Sequence, residues 1–361
     1  DDGHKNAGCH AGAVVVPVAL TLGEKFNASG REIITAVALG YEIVYRIVAQ
    51  MTPSQIEKGF HPSGNCDPFG AMAVAGKLMG LDAGQIACGL GFAGLSASGL
   101  MEATITGQQS KCVQVGNAAY NGVLAAYYAK NRMDGTVTIF EGKSGFFHAQ
   151  AEDVNFEAVC EGLGREYHIS DTYIKLYPTC RHSQAAIEAA LDLLEENDFS
   201  YEDVESVRVG THQVAYDLTG IIKEPKNSSE AKFSLAYGAA LALHEKSVGV
   251  CHLTSRYWDD PVQKKLANLV TVTVDPEVQA LYPKKRGARM EIHLKDGRIL
   301  EKELYDLKGS PNKPVGWKEL QTKFVGNTSG VIPEAGIQTL IQKLSDLENV
   351  KSVGEIMRIL H

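Results

Sequence analysis

Five short clusters of polar side chains stand in otherwise apolar, small-residue surroundings along this chain. They are Asp1-Asp2-Gly3-His4 with Cys9-His10, His61-Pro62-Ser63, Gln108-Gln109-Ser110-Lys111, Lys175 to His182, and Lys232-Phe233-Ser234 with Tyr237. The clusters combine histidines, which titrate near neutral pH, with cations and a tyrosine that can stabilise developing negative charge. Removal of a proton next to a carboxylate needs such a base and such charge stabilisation. The residue types therefore predict proton-transfer chemistry on a small carboxylic acid.

Each of these side chains also has a purely structural interpretation. His10 could cap or pack against the apolar helix that follows it, and His61 falls in a polar loop predicted over residues 51–67. Lys111 could be a solvated surface lysine, and Tyr237 could be a core residue of an Ala/Leu-rich helix. The basic residues of the fourth cluster could form surface ion pairs. Taken one at a time, these residues do not establish a site.

Other site chemistries have less support in the sequence. His4 and His10 are six residues apart with a glycine between them, and no HExxH motif occurs, so we expect no metal site. The glycines of residues 89–94 fall inside a predicted helix rather than in a nucleotide-binding loop. No GxSxG motif is present, and Cys9 is adjacent to His10, where two side chains rarely face each other.

The bulk composition bounds the class of protein. The chain has 361 residues, of which 44% are hydrophobic and 22% charged, which allows more than one folded domain. Its formal net charge is −8 and no basic stripe runs along it, so we expect no nucleic acid partner. No apolar run is long enough to cross a bilayer, so we expect no membrane partner.

The cysteines and the N-terminus bear on the compartment. The seven cysteines are scattered and form no CxxC pair, which is typical of reduced thiols in a cytoplasmic protein. The first residues lack the charged and apolar regions of a signal peptide, and they also lack an initiator methionine.

The pattern of the chain changes after about residue 170 and predicts two domains. Before the change, Ala-, Gly- and Ser-rich stretches predict closely packed helices, and Ser29 with Glu32 has the capping-box pattern. After it come β-branched segments and an Asp296-Gly297 hairpin turn. We predict a mainly α fold, with a large all-helical domain over residues 1–170 and 309–361 and a smaller α+β lid domain over residues 171–308.

Individual elements follow from the same patterns. Small-residue and Ala-rich stretches predict helices over residues 83–100 and 117–132. Runs rich in β-branched residues predict strands over residues 204–209, 269–274 and 289–294.

Seven motifs follow one another along the chain. They are Asp1-Asp2 before His10-Ala11-Gly12, Phe60-His61-Pro62-Ser63, Lys111 with Val115 to Ala119 and Gly122, Phe140-Glu141-Gly142 to Gly145-Phe146-Phe147, Lys175 to Arg181, Ser234 with Tyr237, and Gly309-Ser310-Pro311. In this order they resemble the MmgE/PrpD family, which includes 2-methylcitrate dehydratases, cis-aconitate decarboxylases and iminodisuccinate epimerases. No single motif is decisive, but seven motifs in order are specific.

The resemblance implies a homodimer with no cofactor, and a site in the cleft between a helical domain and a lid. Carried over residue by residue, it assigns to the site Asp2, His10, His61, Lys111, Lys175 and Tyr237. We expect the catalytic residues to be His10, His61, Lys111 and Tyr237. We expect the substrate-binding residues to be Asp2, Lys175, Arg181, His182 and Ser234.

Three departures from the family pattern affect these expectations. Ala11 follows His10 where a proline is usual, so the local turn is expected to differ. Gln184 stands where members often have a histidine, with His182 two residues earlier, which could change one acid/base role. Family members normally have a further helical segment before the Asp-Asp motif, so we expect the N-terminal part of the helical domain to be missing from this sequence.

These observations lead to three functional hypotheses. The first is a lyase acting on a di- or tricarboxylic acid, by dehydration of a 2-methylcitrate-like acid or decarboxylation of a cis-aconitate-like acid. In it, His61 or His10 takes the α-proton, Lys111 and Lys175 hold carboxylates, and Tyr237 or the other histidine is the acid. The second is an epimerase of an aminodicarboxylate such as iminodisuccinate, and the third is a non-catalytic dimeric protein.

Overall fold

The computed structural model describes residues 2–4, 8–105, 110–152 and 154–360. The chain forms two compact units, one of Asp1–Tyr173 with Ser329–His361 and one of Ile174–Thr328. Helices predominate and the sheets are small, so the predicted mainly α fold class is confirmed. Among the described residues, no helix combines the length and the hydropathy that crossing a membrane requires.

The first unit is helical apart from one short two-stranded ladder. Its helices before residue 173 are α1 (Gly12–Lys25), α2 (Gly30–Met51), α3 (Ser54–Glu57), α4 (Pro62–Met79), α5 (Ala83–Leu95), α6 (Glu102–Ile105), α7 (Ser110–Lys130), α8 (Phe146–Gln150) and α9 (Phe156–Cys160). The ladder pairs β1 (Gly3–His4) antiparallel with β2 (Thr172–Tyr173), which directly follows a 3₁₀ turn at His168–Asp171.

Helix α4 forms the core of this unit, and its residues from Pro62 to Gly76 are buried. Small residues let the neighbouring helices approach it closely. A Cβ atom at Gly122 in α7 would lie 2.4 Å from the Ala71 Cβ atom and 2.4 Å from the Pro68 carbonyl oxygen. A larger residue there would force the two helices apart. The expectation of closely packed, small-residue helices is therefore confirmed.

Three predicted boundaries in this unit are wrong. The loop predicted over residues 51–67 contains α3, and α4 already begins at Pro62. Proline suits the first position of a helix, because its fixed φ is helical and its missing N–H has no partner there anyway. Helix α5 ends at Leu95 rather than at residue 100, and α7 begins at Ser110 rather than at residue 117.

The second unit combines helices with a four-stranded sheet. Its elements are α10 (Gln184–Glu196), β3 (Val204–Thr211), α11 (Gln213–Ala215), α12 (Ser228–Lys232), α13 (Leu235–Glu245), α14 (Ser255–Trp258), α15 (Pro261–Leu269), β4 (Val270–Val274), α16 (Pro276–Leu281), β5 (Ala288–Leu294), β6 (Ile299–Leu304) and α17 (Trp317–Thr328). The strand order is β4-β3-β5-β6, with β3 and β4 parallel and the other pairs antiparallel.

This sheet has one buried and one more exposed face. Residues of β5 alternate between buried and half-buried, and the buried ones join α10 and α13 in one hydrophobic core. The three predicted strands are present, and the β5–β6 hairpin confirms the turn predicted at Asp296-Gly297. The chain then returns to the first unit, where it forms α18 (Glu334–Ser345) and α19 (Gly354–Leu360).

Candidate active site

In the first unit, one serine hydrogen-bonds to the backbone of one predicted site histidine and lies two residues after the other. His61 is the N-cap residue of α4, and its Nδ1 accepts a hydrogen bond from the Gly64 backbone N–H at 3.1 Å. Ser63 lies in the first turn of the same helix, and its Oγ accepts the His10 backbone N–H at 2.8 Å. The start of α4 therefore holds the backbone of His10 next to the segment that carries His61.

The hydrogen bonds of the two histidines define opposite neutral tautomers. The His10 Nδ1 lies 2.5 Å from the Asp2 carbonyl oxygen, which can only accept, so the proton of neutral His10 is on Nδ1. The His61 Nδ1 accepts from a backbone N–H, so the proton of neutral His61 is on Nε2. As a result, neutral His10 presents a basic Nε2 and neutral His61 presents an Nε2–H donor.

The side-chain carboxylate of Asp2, a predicted site residue, is hydrogen-bonded to a tyrosine. The Tyr41 hydroxyl donates a short hydrogen bond to Asp2 Oδ2, while Oδ1 has no hydrogen-bond partner among the described residues. A Cβ atom at Gly12 would lie 2.1 Å from the Tyr41 hydroxyl oxygen and 2.7 Å from Asp2 Oδ1. Only glycine fits there, which explains its place two residues after His10. Burial and the nearby Asp2 charge raise the pKa of Tyr41 far above its usual value.

Burial and charge keep His61 neutral. Its side chain is buried, and this burial, followed by the positive charge of Lys111, lowers the pKa of His61 to about 4. Lys111 lies in the first turn of α7 and is half-buried. At neutral pH the His61 ring is therefore neutral, and its Nε2–H can donate a hydrogen bond.

Asp67 is a buried acid that the sequence analysis did not identify. It is fully buried in α4, and neither carboxylate oxygen has a hydrogen-bond partner among the described residues. Burial raises the pKa of Asp67 well above its ordinary value, the Ser63 hydroxyl acts in the opposite direction, and the Asp2 charge raises it further. The folded protein therefore favours the protonated form of this carboxyl group.

We expect Asp67→Asn to stabilise the fold at neutral and higher pH. Because the pKa of Asp67 is raised on folding, its favourable contribution is complete below about pH 4 and is lost as pH rises through the folded-state pKa. The neutral asparagine cannot lose a proton. Urea unfolding at several pH values should give the variant an advantage that grows from about pH 4 upwards. A difference in unfolding free energy that stays constant with pH would contradict the assignment.

In the second unit, the residues of the Lys175–His182 cluster are buried or half-buried, and they hydrogen-bond to other residues of the protein. The Arg181 guanidinium donates to the Gln184 side-chain oxygen at 2.9 Å and to the Ser310 hydroxyl at 2.7 Å. The Gln184 amide nitrogen donates to the carbonyls of Tyr177 at 2.9 Å and Thr179 at 3.2 Å. The Gln184 side-chain oxygen thus accepts one hydrogen bond and its amide nitrogen donates two, and these bonds hold the loop in place. Neutral histidine, which has one N–H, could not make all these bonds.

His182 pairs with a second histidine in this unit. The His182 Nδ1 lies 3.3 Å from the Nε2 of His212, which is buried and stacked on Tyr282 with ring centroids 4.2 Å apart. The His212 Nδ1 accepts the Ala215 backbone N–H at 3.3 Å, so its proton is on Nε2 and is donated to His182.

Positive charges gather around this pair. Burial, Arg286 and His212, followed by Lys175 and Arg181, lower the pKa of His182 well below its usual value. Burial and then Arg286 lower the pKa of His212 to about 4. Protonation of either histidine would place a further positive charge beside these cations. The region is therefore locally positive and favours a bound anion.

Ser234 and Tyr237 have structural partners in the second unit. The Ser234 hydroxyl caps α13 by accepting the Tyr237 backbone N–H at 3.0 Å, and it donates to the Ile222 carbonyl at 2.5 Å. The Tyr237 hydroxyl is buried and donates to the His252 carbonyl at 2.8 Å. Both hydroxyl protons are therefore directed to protein carbonyls.

The structure groups the predicted residues unit by unit. In the first unit it brings together Asp2, His10 and His61, with Lys111 acting on His61 by its charge. In the second it brings together Lys175, Arg181 and His182, whereas Ser234 and Tyr237 bond to other parts of the unit. Asp1, Gln108 and Gln109 lie outside the described residues. Four residues of these groups were not identified from the sequence, because no local motif marks them. They are Tyr41, Asp67, His212 and Arg286.

Comparison with known proteins places this geometry in a family. The chain is 24% identical to a cis-aconitate decarboxylase of Mus musculus over 97% of its own length and 73% of the relative's. It is 23% identical to a cis-aconitate decarboxylase of Homo sapiens over 97% and 74% of the two chains. These relatives support a lyase-type role. The MmgE/PrpD N-terminal domain matches residues 1–158 and the MmgE/PrpD C-terminal domain matches residues 177–347, so the chain belongs to the MmgE/PrpD family.

Proposed function

We propose that the protein is a lyase that acts on a small di- or tricarboxylic acid by proton transfer next to a carboxylate, without a cofactor. The observation that carries this proposal is the pair of opposite histidine tautomers at the start of α4. One histidine presents a basic lone pair that can take a proton, and the other presents a hydrogen-bond donor that can stabilise developing negative charge. The sequence alone left the roles of His10 and His61 open.

In this proposal His10 is the base and His61 is the donor. The Nδ1–H of His10 is held by the Asp2 carbonyl, so its Nε2 takes the proton next to the carboxylate. The Nε2–H of neutral His61 donates a hydrogen bond to the leaving hydroxyl, and the protonated His10 returns its proton to that hydroxyl, which departs as water in a dehydration. In a decarboxylation, His10 in its protonated form delivers a proton to the carbon that loses carbon dioxide, and it is then reprotonated by water. Lys111 stabilises the negative charge that develops on the substrate.

The second unit has a positively charged region of its own. Lys175 and Arg286 both depress the pKa of His182, so their charges act on one region. A region with two such positive charges favours the binding of a carboxylate group. The Tyr237 hydroxyl donates to a main-chain carbonyl, so the proposal assigns no acid role to it. The named relatives, which are cis-aconitate decarboxylases, support decarboxylation before dehydration.

The proposal predicts a distinct outcome in proton NMR of the protein in D₂O. We expect cis-aconitate, 2-methylcitrate or citrate, supplied without any added cofactor, to lose carbon dioxide or water and to give a new alkene signal. The matched variant is His10→Asn, because the asparagine amide can still donate to the Asp2 carbonyl but offers no basic nitrogen. This variant should fold normally and give no product.

The other outcomes are equally informative. Deuterium entering the α-carbon of an aminodicarboxylate such as iminodisuccinate, without a new product, would replace the lyase by an epimerase. No reaction with any of these acids, together with no shift in Tm on adding them, would reject the proposal in favour of a non-catalytic role. Full turnover by His10→Asn would reject His10 as the base.

A further inference from the structure

We propose that His4, His168 and Asp171 form a binding site for a divalent transition-metal ion of the zinc type. Each of the three offers one ligand atom, and these atoms all lie within 4.8 Å of one another. The inference does not rest on the proposed lyase activity, because none of the three residues has a role in it. No local motif marks this site, since two of its members lie far along the chain from the first.

Secondary structure brings the three residues together. The β1–β2 ladder pairs His4 with Thr172, so His4 lies across from the residue that follows the 3₁₀ turn His168–Asp171. Residues three apart in a 3₁₀ turn lie on the same side, because each turn contains three residues. His168 and Asp171 therefore share one side of the turn, next to His4.

The spacing is close to that of a filled site. The His4 Nε2 atom lies 3.9 Å from Asp171 Oδ2, which is longer than a hydrogen bond. Two ligands of a tetrahedral zinc ion, each at about 2.0–2.1 Å, lie about 3.4 Å apart. Closing the pair around an ion needs a movement of roughly half an ångström, which side-chain rotation can supply.

The donor set and exposure select a class of ion. Two imidazoles and one carboxylate suit zinc, cobalt or iron, whereas magnesium and calcium prefer oxygen ligands alone. The His4 side chain is 3% exposed and that of Asp171 is 35% exposed, so the site is walled on one side and open on the other. Three protein ligands leave a coordination position for water.

The surrounding residues hold the ligands in place before any ion binds. The Glu42 Oε2 atom accepts the His168 backbone N–H at 2.7 Å, and Glu42 is itself held by Arg46. The His4 ring packs on the Tyr45 ring with centroids 4.6 Å apart. Partners of this kind, which fix the ligand-bearing backbone and rings, are typical of metal sites.

The test is metal binding by the protein, first freed of metal with a chelator that is then removed. Calorimetric titration with Zn²⁺ should show one tight site per chain, and Co²⁺ should give visible d–d absorption bands of a site with nitrogen and oxygen ligands. Zn²⁺ should also raise the Tm. We expect His168→Ala and Asp171→Asn each to weaken Zn²⁺ binding at least about tenfold.

The matched control is His148→Ala, which removes an exposed histidine of the same unit that is not part of the cluster. It should bind Zn²⁺ as the wild type does. Asp171→Asn is nearly isosteric and half-exposed, so it separates ligand loss from unfolding, which circular dichroism of the metal-free protein would report. Zn²⁺ affinity unchanged in both cluster variants, or absent from the wild type, would overturn the proposal. Sulfur-to-cobalt charge-transfer bands would assign the ion to cysteines and overturn it as well.

Discussion

Replacing His61 by alanine is expected to lower turnover at least about 100-fold, the usual contribution of one hydrogen-bond donor to a developing negative charge. The variant loses the Nε2–H donor that the tautomer of His61 presents. It also loses the N-cap acceptor of the Gly64 N–H, which should cost about 1 kcal/mol of unfolding free energy. Turnover of the substrate identified by NMR, together with urea unfolding, measures the two effects.

The matched variant His61→Asn separates these two effects. Asparagine is among the best N-cap residues, so its side-chain oxygen can still accept the Gly64 N–H and preserve stability. It cannot place a proton where the His61 Nε2–H lies. We therefore expect wild-type stability with a loss of turnover like that of His61→Ala. Near wild-type turnover in the asparagine variant would show that His61 only caps α4.

Local patterns in the sequence were sufficient for local structure. The Ser29–Glu32 capping box is present, with the Glu32 carboxylate accepting the Ser29 N–H at 2.8 Å. The Asp296-Gly297 turn also lies between its two predicted strands. Both features depend on residues a few positions apart, so the sequence contains all the information they need. The start of α4 was missed because Pro62 was interpreted as a loop residue rather than as a first helical residue.

The site depended on contacts that no local pattern encodes. The Tyr41 hydroxyl donates to the Asp2 carboxylate, although the two residues are 39 positions apart in the sequence. The roles of His10 and His61 depend on which atom each Nδ1 faces, and this is set by the packing of distant segments. The residue types predicted proton-transfer chemistry, but only the hydrogen bonds distinguish a base from a donor.

Arg46→Ala is expected to lower the free energy of unfolding by about 3–5 kcal/mol, because it leaves a buried charge without its partner. Arg46 and Glu42 are both buried in α2, and the Arg46 Nε lies 2.5 Å from Glu42 Oε1. The guanidinium also donates to the carbonyls of Val159 at 3.1 Å, Glu161 at 2.6 Å and Glu166 at 3.0 Å. Without it, three carbonyls and a carboxylate lose a donor in the protein interior.

Urea unfolding followed by circular dichroism measures this loss, since Trp258 and Trp317 both lie in the other unit and would not report on α2. The matched control Arg31→Ala removes an exposed arginine of the same helix and should change stability by less than about 0.5 kcal/mol. Adding Glu42→Gln to Arg46→Ala should restore part of the loss, because it removes the unpaired charge. A loss below about 1 kcal/mol for Arg46→Ala would mean that water replaces the guanidinium. In that case the segment before His168 would be held by its own packing rather than by α2.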